Sequence, residues 1–167
     1  MLFRSGGAVA VATTHLRTRV SDTALGTVAV VCEPDRASAN AELLGVAATL
    51  ADANEAVVAL LPCDPGVDRA DPALLGEVGA DHVVEFRGVV DEDDTAAALG
   101  DWVAEQRPAV LLAPGTTWGR EVAARIAARL GAGLTGDAVE LSRDGAALTA
   151  WKPAFGGSVL VAIHSRS

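Results

Sequence analysis

Short runs of apolar, often β-branched residues alternate with longer Ala- and Leu-rich stretches from about residue 27 onward. This alternation predicts a parallel β-sheet whose strands are joined by crossover helices. The runs are almost wholly apolar, as expected of strands that helices cover on both faces. They predict five strands, at residues 27–33, 56–63, 81–86, 109–113 and 134–141.

Helical spacing and end signals place a helix in each interval between these strands. The first covers residues 39–53, and Asp71 and Pro72 provide an N-cap and a first-turn proline for a short second one. The acidic run 91–94 begins the third helix, where carboxylates meet the positive end of the helix dipole. A fourth carries an apolar stripe from Val122 to Leu130 and ends at Gly131.

The carboxyl-terminal part departs from the alternation of strands and helices. Residues 147–151 and 158–163 alternate like two antiparallel strands joined around Phe155, Gly156 and Gly157. Residues 1–26 show no clear period, so they form either a poorly specified arm or an added edge element. The predicted fold is a three-layer α/β domain over residues 27–167, with a mostly parallel five-stranded sheet, helices on both faces and a C-terminal β-hairpin.

Composition narrows the class of protein. The chain has 167 residues, 50% of them hydrophobic and 21% charged, which is the balance of one globular domain. Its net charge of −9 argues against nucleic acid as a partner, and the early apolar run at 7–12 is too short to insert in a membrane. Cys32 and Cys63 lack metal or redox spacing, so we expect reduced, packed thiols and a cytoplasmic location.

No catalytic or metal-ligating group can be assembled from the sequence. His15, His82 and His164 fall on separate predicted elements without ligand partners at suitable spacing, and no GxSxG segment is present. The acidic run 91–94 fits a helix cap better than a metal loop. We therefore expect no catalytic residues and no metal.

Two turns stand out as candidate contact surfaces. Residues 115–120 form a glycine-containing turn between a strand and a helix, where backbone N–H groups suit an anion, although no dinucleotide or P-loop fingerprint is present. Trp118 and Trp151 could pack in the core or contact a partner. The turn at 152–158 is similarly open: its glycines suit a hairpin turn, while Lys152 and Phe155 could be presented to a neighbour. The candidate interface residues are Gly115, Thr116, Thr117, Trp118, Gly119, Arg120, Lys152 and Phe155.

Together, two segments resemble a known family. Residues 115–137, GTTWGREVAARIAARLGAGLTGD, and residues 152–158, KPAFGGS, are similar in order and spacing to signatures of electron transfer flavoprotein α subunits. The resemblance covers residues 27 to about 163. Lys152 stands where the family has arginine, Ser158 where it has asparagine, and Gly136 where alanine is common. Lysine offers a point charge instead of a planar fork, so a contact made at position 152 would be altered.

The resemblance implies a fold like that of the adenine nucleotide α hydrolases, which are Rossmann-like, and packing against an electron transfer flavoprotein β subunit. It also implies that a further C-terminal domain, in cis or in trans, carries most of the FAD contacts. We expect that domain to be absent from this chain, and hence no FAD in the isolated domain.

Three hypotheses follow. The first is the N-terminal scaffold and partner-binding domain of an α subunit, a non-enzymatic part of a heterodimer that passes electrons from a flavin dehydrogenase to an acceptor. The second is a free-standing module that binds AMP or ATP at the carboxyl ends of the strands. The third, an enzyme of unknown chemistry, lacks any recognisable acid, base and nucleophile.

Overall fold

The computed structural model describes residues 9–16, 26–63 and 71–165. Five described strands build the main sheet: β1 (Ala10–His15), β2 (Gly26–Val31), β3 (Glu55–Cys63), β4 (His82–Arg87) and β5 (Val110–Leu112). They lie in the order β1-β4-β3-β2-β5, and all neighbours are parallel except β1 and β4. The strands β3 and β4 follow on one side of β2, and the chain then returns to place β5 on the other side of β2, so the strand order reverses between β2 and β5.

Helices cover both faces of this sheet. They are α1 (Ala37–Leu50), α2 (Pro72–Glu77), α3 (Glu92–Gln106) and α4 (Thr117–Leu130). Leu44 of α1 and Leu75 of α2 belong to the apolar cluster on one face. Leu99 of α3 and Ile126 of α4 belong to the cluster on the other. The three-layer, mostly parallel α/β fold predicted from the sequence is confirmed.

Capping side chains begin the helices where the sequence indicated. The Asp71 carboxylate accepts a hydrogen bond from the Ala73 backbone N–H at 2.9 Å, and Asp91 accepts one from Asp94 at 2.8 Å. The acidic run thus caps α3. None of the helices in the described part of the chain combines the length and apolarity that a membrane span requires.

The edge strand β1 lies within residues 1–26, for which the sequence allowed either a poorly specified arm or an added edge element. Residues 10–15 pair antiparallel with β4, so this part of the segment is an edge element of the sheet. Residues 1–8 and 17–25 lie outside the described residues. The fifth strand of the main sheet therefore comes from the amino-terminal side of the chain.

The strand predicted at residues 134–141 was wrong. Residues 132–139 form no helix or strand and are exposed throughout, and β6 (Glu140–Asp144) begins only at the end of the predicted range. Asp137 has φ +60°, a left-handed conformation that interrupts an extended strand. Leu134 and Val139, the apolar residues that suggested a buried strand, are 53% and 65% exposed.

A second sheet contains β6, β7 (Ala147–Ala154) and β8 (Val159–Ser165), with β7 in the middle. Its β7–β8 hairpin turns at Phe155–Gly157, which confirms the predicted C-terminal hairpin. Leu141 and Leu148 pack against the apolar cluster that contains α1. One end of the small sheet is therefore anchored on the α/β body.

Both cysteines are buried free thiols. Cys32 is fully enclosed at the end of β2, and desolvation by burial raises its pKa to about 12. A thiol with so high a pKa stays protonated at neutral pH, and it is the thiolate that reacts. Cys32 is consequently a packing residue of the core.

Candidate functional site

The turn that joins β5 to α4 lies at the point where the sheet reverses its growth. We call residues 115–120 the β5–α4 turn. The Thr116 hydroxyl accepts a hydrogen bond from the Gly119 backbone N–H at 3.0 Å and thereby caps α4. The same hydroxyl lies 2.6 Å from a carboxylate oxygen of Glu33, which follows β2. Thr116 and Glu33 thus join the carboxyl ends of two neighbouring strands.

This arrangement is unfavourable for a phosphate. Open parallel sheets bind nucleotides in the crevice at such a reversal point, where helix N–H groups meet the anion. Here the Gly119 N–H is occupied by the Thr116 hydroxyl, and the Glu33 carboxylate places negative charge beside it. Arg36 lies 3.8 Å from the other carboxylate oxygen of Glu33, so the Glu33 charge is partly compensated. The observation that counts against a phosphate here is the occupied Gly119 N–H.

Close packing fixes the β5–α4 turn. A Cβ at Gly119 would lie 2.2 Å from the Pro114 carbonyl oxygen, whereas a Cβ at Gly115 would meet no heavy atom within 4 Å. Trp118 is half-buried against the cluster that contains α3 and α4, so the core interpretation fits its indole. Gly115 and Thr117 are exposed. The predicted contact residues of this turn therefore divide between packing and surface.

Arg120 links the β5–α4 turn to the start of the small sheet. Its Nε donates to the Gly115 carbonyl at 3.0 Å, and its terminal nitrogen lies 2.6 Å from Asp137. Two residues further on, Val139 donates its backbone N–H to the Trp151 carbonyl at 2.8 Å. The two candidate surfaces are thus connected through residues 137–139, a link that the sequence alone did not indicate.

The outer end of the small sheet is an exposed apolar surface. Lys152 lies opposite Val161, and Ala154 lies opposite Val159, on the same sheet face as Ala150. Ala150 is buried, and Leu148 on the same face packs against the α1 cluster, whereas Val159 is 48% and Val161 39% exposed. One continuous face is therefore covered by the domain at one end and uncovered at the other.

The opposite face of β8 is also exposed. Leu160 points to that face, next to Val159 and Val161 in sequence, and it is 55% exposed. β8 is at the edge of its sheet, paired with β7 alone among the described strands. An apolar edge strand that is open on both faces is a template for pairing with another chain. We call residues 152–161 the sheet tip.

Phe155 forms the end of the sheet tip. Its side chain is 86% exposed, the largest value among the exposed large hydrophobic residues of the described chain. Its φ is +50°, and Gly156 and Gly157 follow with φ of +69° and +90°. Left-handed backbone is costly for a residue with a Cβ, and such strain concentrates at functional sites. The turn thus presents an aromatic ring outward at a conformational cost.

Within the described residues, His, Cys, Asp and Glu side chains form no group of three that could hold a metal ion. The predicted contact residues Lys152 and Phe155 lie together at the sheet tip. Val159, Leu160 and Val161 belong to the same surface but were missed by sequence reasoning. Their apolar run alone does not show exposure, because the same run would be buried in a sheet that helices cover.

The sheet order defines the class of this protein as a mostly parallel α/β domain with a second, antiparallel sheet, and comparison with known proteins gives its family. The family model described as "Electron transfer flavoprotein domain" matches residues 28–167. The chain belongs to the electron transfer flavoprotein family, on the α-subunit side. The resemblance inferred from the two motifs is confirmed.

Curated relatives agree with this assignment. Protein FixB of Azorhizobium caulinodans is 36% identical over 132 residues, covering 74% of this chain and 36% of that protein. The electron transfer flavoprotein subunit alpha of Clostridium acetobutylicum is 33% identical over 128 residues, covering 73% and 38%. Subunit LctC of the lactate dehydrogenase (NAD(+),ferredoxin) of Acetobacterium woodii is 34% identical over 129 residues, covering 73% and 30%. The matched region thus spans about a third of each relative.

Proposed function

We propose that this chain is the N-terminal scaffold and partner-binding domain of an electron transfer flavoprotein α subunit. In a heterodimer with a β subunit, the assembled protein passes electrons from a flavin dehydrogenase to an acceptor. The domain itself performs no redox chemistry and is not an enzyme. Its two buried reduced thiols fit a cytoplasmic location.

The observation that carries this proposal is the sheet tip. Large exposed apolar patches on a soluble protein mark interaction sites. Here Phe155, Val159 and Val161 are exposed at one end of the small sheet, and Leu160 is exposed on the opposite face of the same edge strand. Large aromatic residues are enriched at protein interfaces and dominate their binding energy. We propose that the sheet tip contacts the β subunit and that the exposed residues of the β5–α4 turn contribute to the same interface.

FAD belongs elsewhere in the assembled protein under this proposal. At the described edge the Gly119 N–H, which a pyrophosphate could use, already donates to the Thr116 hydroxyl. The FAD-binding domain, in cis or in trans, would supply those contacts. A visible absorption spectrum of the purified chain tests this point, since bound flavin would give absorption bands that the protein alone lacks.

The binding experiment is sedimentation of the purified chain with a purified electron transfer flavoprotein β subunit. We expect co-sedimentation at micromolar concentrations, and we expect Val161→Glu to abolish it by burying an unpaired charge in the interface. Leu74→Glu is the matched control, because Leu74 on α2 is 56% exposed and lies on a different element. The proposal fails if the unmodified chain and the β subunit sediment separately, with or without the FAD domain.

A further inference from the structure

A cavity of about 230 Å³ lies at the edge of the main sheet opposite the β5–α4 turn, where the parallel strands begin. Its floor is apolar and consists of Ala56, Val58 and Val84, which are buried residues of β3 and β4. The last turn of α3 forms one wall, with Trp102 and Gln106. The site is thus separate from the surfaces assigned to partners above.

Sheet register places the polar lining residues around this floor. His82 lies opposite Val58 across β4 and β3, and Thr13 lies opposite Val84 across β1 and β4. Directly opposed residues project from the same sheet face, so the imidazole and the hydroxyl border the same space. Thr27 at the start of β2 adds a second hydroxyl. The rim therefore carries several hydrogen-bonding groups around an apolar centre.

The lining chemistry limits the charge of a ligand. The described lining residues include no Asp, Glu, Lys or Arg. A charged group would find no ion partner among these described lining residues, and desolvating it without one is costly. An anion would also approach the carboxyl end of α3, where the helix dipole is negative. Phosphates and carboxylates are disfavoured for these two independent reasons.

Size and shape limit the ligand further. Drug-sized ligands occupy pockets of roughly 300–1,000 Å³, and this cavity, at about 230 Å³, is smaller. It suits one ring or two fused rings. Trp102 supplies aromatic surface, which favours a flat aromatic partner. The Gln106 carboxamide and the threonine hydroxyls can each donate and accept hydrogen bonds, as the edge of a heterocycle requires.

We propose that this cavity binds a small, neutral heteroaromatic ring, held between the apolar floor and Trp102 and oriented by Thr13 and Gln106. The ligand is a free base or a neutral ring system, since the negative end of the α3 dipole disfavours a phosphate. The site differs in position and in ligand charge from a nucleotide site at the carboxyl ends of the strands.

The test is isothermal titration calorimetry of the 167-residue chain with adenine as the probe, together with Gln106→Leu and Thr13→Val. Both substituted residues are exposed, so these changes leave the packed core in place. Each variant removes one ligand hydrogen bond, and we expect the Kd to rise about tenfold in each. Thr49→Val, at an exposed threonine on α1 outside the cavity, should leave the Kd unchanged. AMP should bind at least about tenfold more weakly than adenine.

Three outcomes would overturn this proposal. Adenine could give no heat and no change in backbone amide NMR spectra near its solubility limit. Adenine could bind with a Kd that neither Gln106→Leu nor Thr13→Val alters, which would place it elsewhere. AMP could bind more tightly than adenine, which would indicate an anion site.

Discussion

Glu55 and Arg143, which are 88 positions apart in the sequence, form a two-pronged ion pair between the two sheets. One guanidinium nitrogen of Arg143 donates to Glu55 Oε1 at 3.0 Å, and the other donates to Oε2. Each side chain is about 10% exposed. Because Glu55 begins β3 and Arg143 lies in β6, the pair fixes the small sheet on the α/β body, and with it the sheet tip.

Removing one member of this pair should destabilise the protein strongly. We expect Arg143→Met to lower the free energy of unfolding by about 3 kcal/mol, because it leaves the Glu55 carboxylate partly buried without its partner. The double variant Glu55→Gln with Arg143→Met should lose less than Arg143→Met alone, since it leaves no uncompensated charge. Urea denaturation measures both values.

Arg125→Met is the control for this prediction. Arg125 pairs with Glu121 and Asp93 at the surface of α4 and α3, where ion pairs contribute between 0 and about 1 kcal/mol. If Arg143→Met costs no more than Arg125→Met, the pair does not hold the small sheet.

The same pair makes stability depend on pH at the acidic end. Partial burial alone would raise the pKa of Glu55, but hydrogen bonds from Arg143 and the Asp52 backbone N–H, with the Arg143 charge, outweigh burial and hold it below the ordinary value of 4.5. As the pH falls through that value, Glu55 is protonated in the unfolded state before it is protonated in the folded state, so the free energy of unfolding falls with pH. Urea midpoints measured from pH 6 down to pH 3 should decline less steeply in Glu55→Gln. Identical slopes would contradict the assignment.

Two glycines of the β5–α4 turn should respond differently to the same substitution. Gly119→Ala should destabilise the protein by about 2–3 kcal/mol, because its Cβ would lie 2.2 Å from the Pro114 carbonyl oxygen. Gly115→Ala should be neutral, since its Cβ would meet nothing within 4 Å. Thermal unfolding of both variants decides the point, and equal midpoints would show that the turn is not packed as described.

Phe155 should show a trade between stability and binding. We expect Phe155→Asn to raise the free energy of unfolding by about 1 kcal/mol, because asparagine tolerates left-handed backbone better. The same change should weaken binding of the β subunit at least about tenfold by removing an aromatic anchor. Val90→Asn is the control for binding, since Val90 is 60% exposed outside the sheet tip. Unchanged affinity in Phe155→Asn would remove Phe155 from the interface.

The layered fold follows from the sequence because its signals are local. The apolar runs at β2 and β3 and the cap at Asp71 each indicate an element within a few residues. The strand at 134–141 could not be rejected locally. Leu134 and Val139 resemble buried strand residues, and the left-handed backbone at Asp137, which interrupts an extended strand, is not indicated by the sequence pattern.

The candidate site was also predictable from the sequence only in part. Phe155 and Lys152 could be selected from the sequence because a turn places them at an end of the fold. The exposure of β8 could not, because it depends on which strands cover each sheet face. The link between Thr116 and Glu33 spans 83 positions, and no pattern in the sequence indicates it.

The most direct test of the central claim is hydrogen–deuterium exchange of the chain, free and in complex with an electron transfer flavoprotein β subunit. The account predicts that slowed exchange on binding is concentrated in the β8 strand and at residues 155–157. Slowed exchange at the β1 edge or on α1 and α2, with β8 unchanged, would contradict it.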